Sequence, residues 1–265
     1  MKEQLELVMP QNSQLVKEIQ IELWKQKVRD LIAYYPDLFF WAGHKINGFN
    51  PEANIVRKDT QIVIEGCPGS ANTFAVRAFL LAQDNEVKMA RHTHKYTQVI
   101  VAARMGIPAL VLVRNPKDSI MSYLVRFSNY QKLKVIDVER NLRRYIEFHL
   151  KISPYIDECV IADFSTVTKD FGSVISRVND KFCANFSVFN HNEENTQACF
   201  AEMHRRTKHN KDFLVAIPSE KRRQEKEKIR KFFQDSELTD LIIQAEDLYK
   251  MFRSQDTLLT NQLVN

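Results

Sequence analysis

The chain has 265 residues, of which 44% are hydrophobic and 27% charged, and its formal net charge is +5. This composition is ordinary for a globular protein. No apolar run approaches the roughly 18 residues of a membrane helix, and the N-terminus lacks the basic start and apolar stretch of a secretory signal. The four cysteines form no CxxC pair. We therefore expect a reduced, cytoplasmic protein without a membrane partner.

Apolar residues recur at helical spacing from 12 to 35, which predicts a helix, and the aromatic stretch 34–53 follows it. From residue 60 onward, short apolar runs alternate with helical patterns. The predicted strands are "TQIVIEG", "EVKMARHTH", "ALVLVRNP" and "ECVIADF". The predicted helices are "NTFAVRAFLLAQ", "TQVIVAARMG", "KDSIMSYLVRF", "VERNLRRYIEFHLKI" and "DFGSVISRVNDKF", and helical spacing returns at 226–233 and 238–252.

Strands that alternate with helices predict a three-layer α/β/α fold, in which helices cover both faces of a central parallel sheet. Ligands of such sheets bind at the carboxyl ends of the strands. Three segments are expected at that edge: 66–73, 92–94 and 114–115.

The segment "EGCPGSANTF" joins a predicted strand to a predicted helix and has the layout of a phosphate-binding loop. Backbone N–H groups at a helix start favour an anion, and the two glycines permit tight turning. Against the Walker A pattern, Gly66 and Thr73 match, whereas Asn72 stands where the lysine is needed, which disfavours an NTPase. Thr73 also replaces the arginine of a tyrosine-phosphatase-like loop. A strand–turn–helix corner without a ligand fits the same residues.

A second segment, "ALVLVRNPKDSIMSYLVRF", places Arg114 at the end of a buried strand, before a helix that begins at Pro116. An arginine in this position can bind a phosphate through two parallel hydrogen bonds. An ion pair between Arg114 and Asp118 is the alternative.

Four segments in this order resemble the sulfotransferase family, which uses 3′-phosphoadenosine 5′-phosphosulfate (PAPS). "CPGSANTF" is similar to the 5′-phosphosulfate loop of the family, P-[KR]-S-G-T-T, and "RNPKDSIMS" matches its 3′-phosphate motif, R-[ND]-P-x-D-x-x-x-S. "RHTH" falls where the family carries its catalytic histidine. "VIADF" resembles a later strand that ends in an aromatic residue. The resemblance covers about residues 60–185, with a weaker echo in "IPSEKRRQEKEKIRKFF".

The resemblance implies a P-loop-NTPase-like sulfotransferase architecture in a single domain, 1–265. Its parts would be an N-terminal helical and aromatic segment (1–58), a nucleotide-binding core (59–190) and C-terminal helices (191–265). PAPS would be the sulfuryl donor, no metal would be needed, and the acceptor would be a hydroxyl or amine of a small molecule or carbohydrate. His94 would be the general base, assisted by His92. The implied PAPS-binding residues are Gly69, Ser70, Ala71, Asn72, Thr73, Phe74, Arg114, Ser122, Phe164, Arg205, Arg206 and Lys208.

Gly69 departs from the family pattern, because a lysine or arginine normally stands there and contacts the leaving oxygen. Loss of such a cation costs on the order of 10² to 10³ in rate. Either another donor replaces it, with a protonated His92 as one candidate and Lys95 or Arg77 behind it, or the chain is a weak enzyme that serves as a nucleotide-binding module.

Two other readings concern the histidines and the basic tail. His92 and His94, two apart on a predicted strand, would share one face, so a metal pair or two structural histidines are alternatives. From 205 to 231, eleven Lys and Arg stand against four Asp and Glu. This excess fits an anionic ligand, a solvated helix face or, remotely, nucleic acid. The pattern leaves the acceptor and the oligomeric state undetermined.

Overall fold

The structure is a computed structural model that describes residues 54–126, 133–207 and 216–262, together with residues 21, 24, 27, 28, 31 and 35. The described positions from 21 to 31 are helical, as the apolar spacing predicts. The remainder of the predicted helix 12–35 and nearly all of the aromatic stretch 34–53 lie outside the described residues. No helix of the described ranges is long and apolar enough to cross a membrane.

Four strands form the described sheet: β1 (Ile62–Gly66), β2 (Met89–Arg91), β3 (Ala109–Val113) and β4 (Val160–Asp163). Their order is β2-β1-β3-β4, and every pair is parallel. The predicted parallel sheet is confirmed. The second predicted strand, 86–94, is shorter in the structure, where it ends at Arg91 and leaves both histidines in a turn.

The helices of the described ranges connect and extend these strands. The first five are α1 (Asn72–Ala82), α2 (Tyr96–Met105), α3 (Pro116–Leu124), α4 (Val135–Ile152) and α5 (Phe164–Lys169). They are followed by α6 (Phe171–Phe182), α7 (Glu193–Thr207), α8 (Glu220–Arg230) and α9 (Thr239–Gln262). Sequence patterning predicted most of these helices but did not locate α7.

Alternate strand residues enter two separate cores, because successive side chains of a strand point to opposite faces. Ile62, Ile64, Leu110 and Leu112 pack with α1, α6 and α7. Val63, Val111, Val113 and Ile161 pack with α2, α4 and α9. The predicted three-layer arrangement, with helices on both faces of the sheet, is therefore confirmed.

The C-terminal helix α9 is fastened to the sheet by a buried ion pair. Arg177 of α6 donates to Asp256 at 2.6 Å, and both side chains are about 5% exposed. The other carboxylate oxygen of Asp256 accepts hydrogen bonds from the Asp163 N–H and the Thr166 hydroxyl. Tyr249 of the same helix donates to Asp163 at 2.7 Å. The end of β4 is thus held from the side of α9.

Because β2 and β3 lie on opposite sides of β1, the chain direction across the sheet reverses at β1. A crevice forms at the carboxyl ends of the strands beside such a reversal. The three segments expected to carry chemistry all follow β1, β2 or β3 at this edge.

Candidate functional site

The loop between β1 and α1 is packed tightly against its neighbours at both of its glycines. A Cβ added at Gly66 would overlap the carbonyl oxygen of Leu112, the residue with which Gly66 pairs across the sheet. Gly69 has a φ of +91°, and a Cβ there would overlap the carbonyl oxygen of Ser119 on α3. Only glycine fits these positions, because a side chain meets neighbouring backbone and, at Gly69, an unfavourable φ.

Polar side chains of the loop bond within the loop and to α3. Ser119 donates its hydroxyl hydrogen to the Pro68 carbonyl at 2.8 Å, and its oxygen lies 3.3 Å from the hydroxyl of Ser70. The amide of Asn72 donates to the Cys67 carbonyl at 2.9 Å. Ser70 and Asn72 are buried. Of the three side chains predicted to face a ligand, only Thr73 is partly exposed.

Helix α1 begins without a side-chain cap. Its N-cap residue, Ala71, has a left-handed φ of 67°, and the first turn contains no acidic residue. The first N–H groups of a helix lack partners within the helix and carry its positive dipole end. This loop therefore has backbone donors from which an anion could accept hydrogen bonds.

Phe74, whose backbone N–H was predicted to bind the cofactor, has its side chain in the core. It is 6% exposed, and its ring packs against Phe189, His191 and Phe200 with centroid distances of 6.5, 5.8 and 6.0 Å. Its side chain anchors α1 under α7, so that only its backbone N–H belongs to the helix start.

Arg114 connects the loop, β3 and β4. Its Nη1 donates to the Gly69 carbonyl at 2.8 Å, and its guanidinium carbon lies 3.7 Å from the ring centroid of Phe164. Tyr145 donates its hydroxyl hydrogen to the Arg114 carbonyl, which holds the backbone. Burial lowers the pKa of Arg114 and outweighs Asp118 and Asp163, which raise it. Arg114 and Phe164, each predicted to bind the cofactor, are thus stacked against each other.

Ser122, the last residue of the predicted 3′-phosphate motif, contacts a cation from helix α8. Nη2 of Arg222 donates to the Ser122 carbonyl at 2.9 Å and to its hydroxyl oxygen at 3.2 Å. Arg222 is 5% exposed, and its pKa is lowered by burial and then by Arg126 and Arg114. Lys226, one turn further along α8, has its pKa lowered to about 8 by burial, with Arg114 and Arg222 as the largest charged causes.

Arg205 and Arg206 are oriented differently from the predicted phosphate contacts. Both side chains are exposed and bond to Glu202 on the same helix, at 2.8 and 2.6 Å. The third predicted residue of this group, Lys208, lies outside the described residues. On α8, Arg223 and Arg230 are likewise exposed and paired with acidic residues three positions earlier. The cation that the structure places beside Ser122 is Arg222.

His92 and His94 lie in the turn that follows β2, both with a left-handed backbone, φ 60° and 54°. The expectation that two residues on a strand share one face is therefore wrong, because the strand ends at Arg91. Their ring centroids nevertheless stand 6.2 Å apart. Among the described residues, no three His, Cys, Asp or Glu side chains are grouped as a metal site requires.

The two histidine rings are held in neutral form by burial. Desolvation lowers the pKa of His92 to about 3, with His94 and Arg91 as the next causes. The prediction that a protonated His92 replaces the missing cation is therefore wrong. Nδ1 of His94 lies 2.8 Å from the Gly66 carbonyl, which can only accept, so Nδ1 carries the hydrogen and Nε2 is the basic nitrogen. Burial lowers the pKa of His94, so the ring is neutral near pH 7.

Sequence reasoning missed Arg222, Lys226 and Glu65. Arg222 and Lys226 are four positions apart and precede the buried Ile229, so they interrupt the inward stripe of a helix. Two cations on the inward face of a helix were the sequence signal that could have revealed them. Glu65, at the end of β1, is fully buried and accepts hydrogen bonds from the turn that contains both histidines. A charged residue inside an otherwise apolar strand was its signal.

Comparison with known proteins adds a weak likeness of fold. No protein-family model matches the chain, and no curated protein matches it in sequence. Among solved structures, the chain is similar to a crystal structure described as mouse sulfotransferase SULT7A1 complexed with PAP, with a TM-score of 0.41 and 11% sequence identity. The match covers 72% of this chain and 91% of that chain. A likeness of this strength says nothing of the chemistry of the site.

Proposed function

We propose that the chain binds PAPS and transfers its sulfuryl group to a hydroxyl or amine of a small-molecule or carbohydrate acceptor. The observation that carries the proposal is the position of Arg114. One guanidinium bonds to the loop at Gly69, stacks on Phe164 and stands within electrostatic reach of Arg222 and Lys226. The sequence motif and the geometry of the loop therefore meet at one residue.

The 3′-phosphate would be held by Arg114, Ser122, Arg222 and Lys226. Burial lowers the pKa of each of these three cations; Arg114 also lowers the pKa of Arg222, and Arg114 and Arg222 both lower the pKa of Lys226. Like charges gathered in a partly buried place are costly unless an anion balances them. A phosphate monoester near neutral pH carries close to two negative charges and accepts several hydrogen bonds, which suits this donor set.

The 5′ end would be held by the uncapped start of α1. The backbone N–H groups of residues 71–74 and the hydroxyl of Thr73 are its donors, since Ser70 and Asn72 bond within the loop. In PAPS, an anhydride linkage joins the sulfuryl group to the 5′-phosphate. The loop presents no cationic side chain to the linkage oxygen that leaves, because Gly69 has no room for one.

His94 would act as the general base. Its Nδ1–H is engaged with Gly66, so its basic nitrogen is Nε2, and its lowered pKa keeps that nitrogen unprotonated at neutral pH. Nε2 would accept the acceptor's proton as the acceptor oxygen or nitrogen bonds to sulfur. The sulfur–oxygen bond to the 5′-phosphate breaks in the same transfer, and 3′-phosphoadenosine 5′-phosphate is left on the protein.

A nucleotide-binding module with little turnover is the second candidate, and Gly69 favours it. A cation aimed at the leaving oxygen is worth several kcal/mol of transition-state stabilisation, of order 10² to 10³ in rate. Neutral His92 does not supply this charge. Among the described residues, Arg91, Arg77 and Arg126 act on the pKa of His92, and Arg126 and Lys95 act on that of His94, so these cations are candidates for the role.

The proposal is tested by calorimetric titration of the protein with 3′-phosphoadenosine 5′-phosphate. We expect Arg114→Ala to weaken binding about 100-fold, since it removes a charge-assisted bidentate contact. Arg104→Ala, an exposed arginine that bonds to Tyr155, is the matched control. Unchanged affinity in Arg114→Ala would contradict the nucleotide site.

Turnover is measured separately with labelled PAPS and a panel of acceptors. Transfer that His94→Ala abolishes, with nucleotide affinity retained, supports the enzyme. Tight nucleotide binding with no transfer to any acceptor supports the binding module.

A further inference from the structure

Glu65 is an acidic side chain enclosed completely at the carboxyl end of β1. Its Oε1 accepts hydrogen bonds from the Thr93 N–H and the Thr93 hydroxyl, both at 2.8 Å. Its Oε2 accepts from the His94 N–H at 3.1 Å. All three donors belong to the turn after β2, so a single buried carboxylate holds the backbone of that turn.

The turn needs such external ties because its backbone is strained. His92 and His94 both have a positive φ, a conformation that costs residues other than glycine roughly 1 kcal/mol or more. Conformations of this kind persist where the surroundings over-determine them. Here the surrounding group is the Glu65 carboxylate.

The next residue of β1 holds the ring of the same histidine, since the Gly66 carbonyl accepts the hydrogen bond from His94 Nδ1. Two consecutive residues therefore secure the main chain and the ring of His94. We infer that Glu65 is a positioning residue, which keeps His94 on the Gly66 carbonyl with Nε2 as its basic nitrogen. The inference concerns a chemical state of His94, and only its effect on rate rests on the proposed sulfuryl transfer.

Charge reinforces this geometry. Glu65 Oε2 lies 3.9 Å from His94 Nδ1, so an ionised Glu65 would favour a positive charge on the ring. Burial raises the pKa of Glu65 to about 7, but every hydrogen bond that reaches its oxygens comes from a donor and favours the ionised carboxylate. The other titratable or charged groups that act on Glu65, His94 or the turn are Cys67, Arg77, Arg91, His92, Lys95 and Arg126.

The inference is tested by nitrogen NMR of the histidine rings in the full-length protein. The unmodified protein is expected to show His94 as the Nδ1–H tautomer. In Glu65→Gln, one oxygen becomes an amide donor, so we expect a mixed tautomer. We also expect the proton affinity of the ring to fall by at least about threefold, because the anion is lost. Glu86→Gln, an exposed carboxylate on the loop before β2, is the control and should leave His94 unchanged.

A folded Glu65→Gln protein whose His94 keeps its tautomer and its pKa would overturn the inference. Should that variant fail to fold, Thr93→Val takes its place, since it removes one donor to Glu65 and retains the carboxylate. It should shift the tautomer in the same direction by a smaller amount, and no shift would overturn the inference.

The NMR result does not depend on whether the chain transfers sulfuryl groups. If it does, Glu65→Gln should lower kcat about tenfold and leave the nucleotide Kd within about twofold. A merely structural role for Glu65 would lower thermal stability without altering the ring's tautomer. The failure of this inference and the failure of the proposed function are therefore distinguishable.

Discussion

Gly69 lies against the backbone of Ser119, and the carbonyl oxygen of Ser119 occupies the place where a Cβ of residue 69 would stand. This contact fastens the loop after β1 to helix α3. It also explains in physical terms why the position that carries a cation in the sulfotransferase pattern is a glycine in this chain. The absence of the cation follows from how the loop is packed.

We predict that Gly69→Lys lowers stability and does not increase turnover. The substitution forces a side chain into a φ of +91° and against the α3 backbone, which together should cost roughly 2–5 kcal/mol of unfolding free energy. Urea unfolding of Gly69→Ala and Gly69→Lys measures this. Gly106→Ala is the matched control, because Gly106 also has a positive φ but has open space around it. Equal losses at both glycines would contradict the packing argument.

Arg222 should contribute to nucleotide affinity and Arg206 should not. We expect Arg222→Ala to raise the Kd for 3′-phosphoadenosine 5′-phosphate about 10- to 100-fold, because a buried cation beside Ser122 is removed. Arg206→Ala removes only an exposed cation bonded to Glu202 and should leave the Kd within about twofold. Circular dichroism establishes that both variants are folded. A larger loss of affinity in Arg206→Ala than in Arg222→Ala would support the sequence-based assignment of Arg206 to the nucleotide site.

The fold was largely predictable from sequence because apolar runs and helical spacing are local signals. Strands β1, β3 and β4 are buried on both faces, and each begins with a run of at least three apolar residues. The end of β2 was not predictable in this way. The turn that follows β2 is bound by the carboxylate of Glu65, 28 residues before Thr93, and no local pattern reports a partner so distant in sequence.

For the candidate site, the sequence brings together residues of one motif, and it does not report contacts between distant helices. Arg114 and Ser122 belong to a single strand–helix unit, so their spacing suffices to place them at one edge. Arg222 reaches Ser122 from 100 residues further along the chain. The orientation of Ser70 and Asn72 depends on contacts inside the loop, which composition does not reveal.

Nucleotide binding should weaken as the pH rises through about 8. Burial and the neighbouring arginines lower the pKa of Lys226 to about 8, so its charge is lost within a pH range that the protein can tolerate. A bound phosphate favours the charged form, so binding takes up a proton between about pH 8 and 9. Titrations in buffers of different ionisation enthalpy measure that uptake. Lys226→Arg should remove the pH dependence, and persistence of the uptake would assign it to another group.

Lys226 should affect the unfolding free energy with the opposite pH dependence. Its pKa is lower in the folded chain than in the unfolded chain, so the unfolded chain binds more protons between about pH 8 and 10.5. In the absence of nucleotide, the contribution of Lys226 to stability therefore increases as the pH rises through this window. Lys226→Gln should flatten that increase in urea unfolding measured from pH 7.5 to 10.

The ion pair between Arg177 and Asp256 should be far more important for stability than an exposed pair on the same helix. Asp256→Ala leaves a buried guanidinium without its carboxylate, which typically costs about 3–5 kcal/mol. Asp247→Ala breaks an exposed pair with Lys250 and should cost less than about 1 kcal/mol. Chemical denaturation of both variants compares them. Similar losses would show that α9 is held chiefly by its apolar contacts.

The fastening of the loop to α3 has a consequence for what the site can select. The Ser70–Ser119 contact and the Arg114–Gly69 hydrogen bond set a constant separation between the start of α1 and the place where Ser122 meets Arg222. In a chain that binds a nucleotide across these two points, a fixed separation limits the distance between the charged groups of the ligand. If the chain binds PAPS as proposed, we expect it to favour ligands with charged groups at the 3′ and 5′ positions over analogues whose second charge lies nearer or farther.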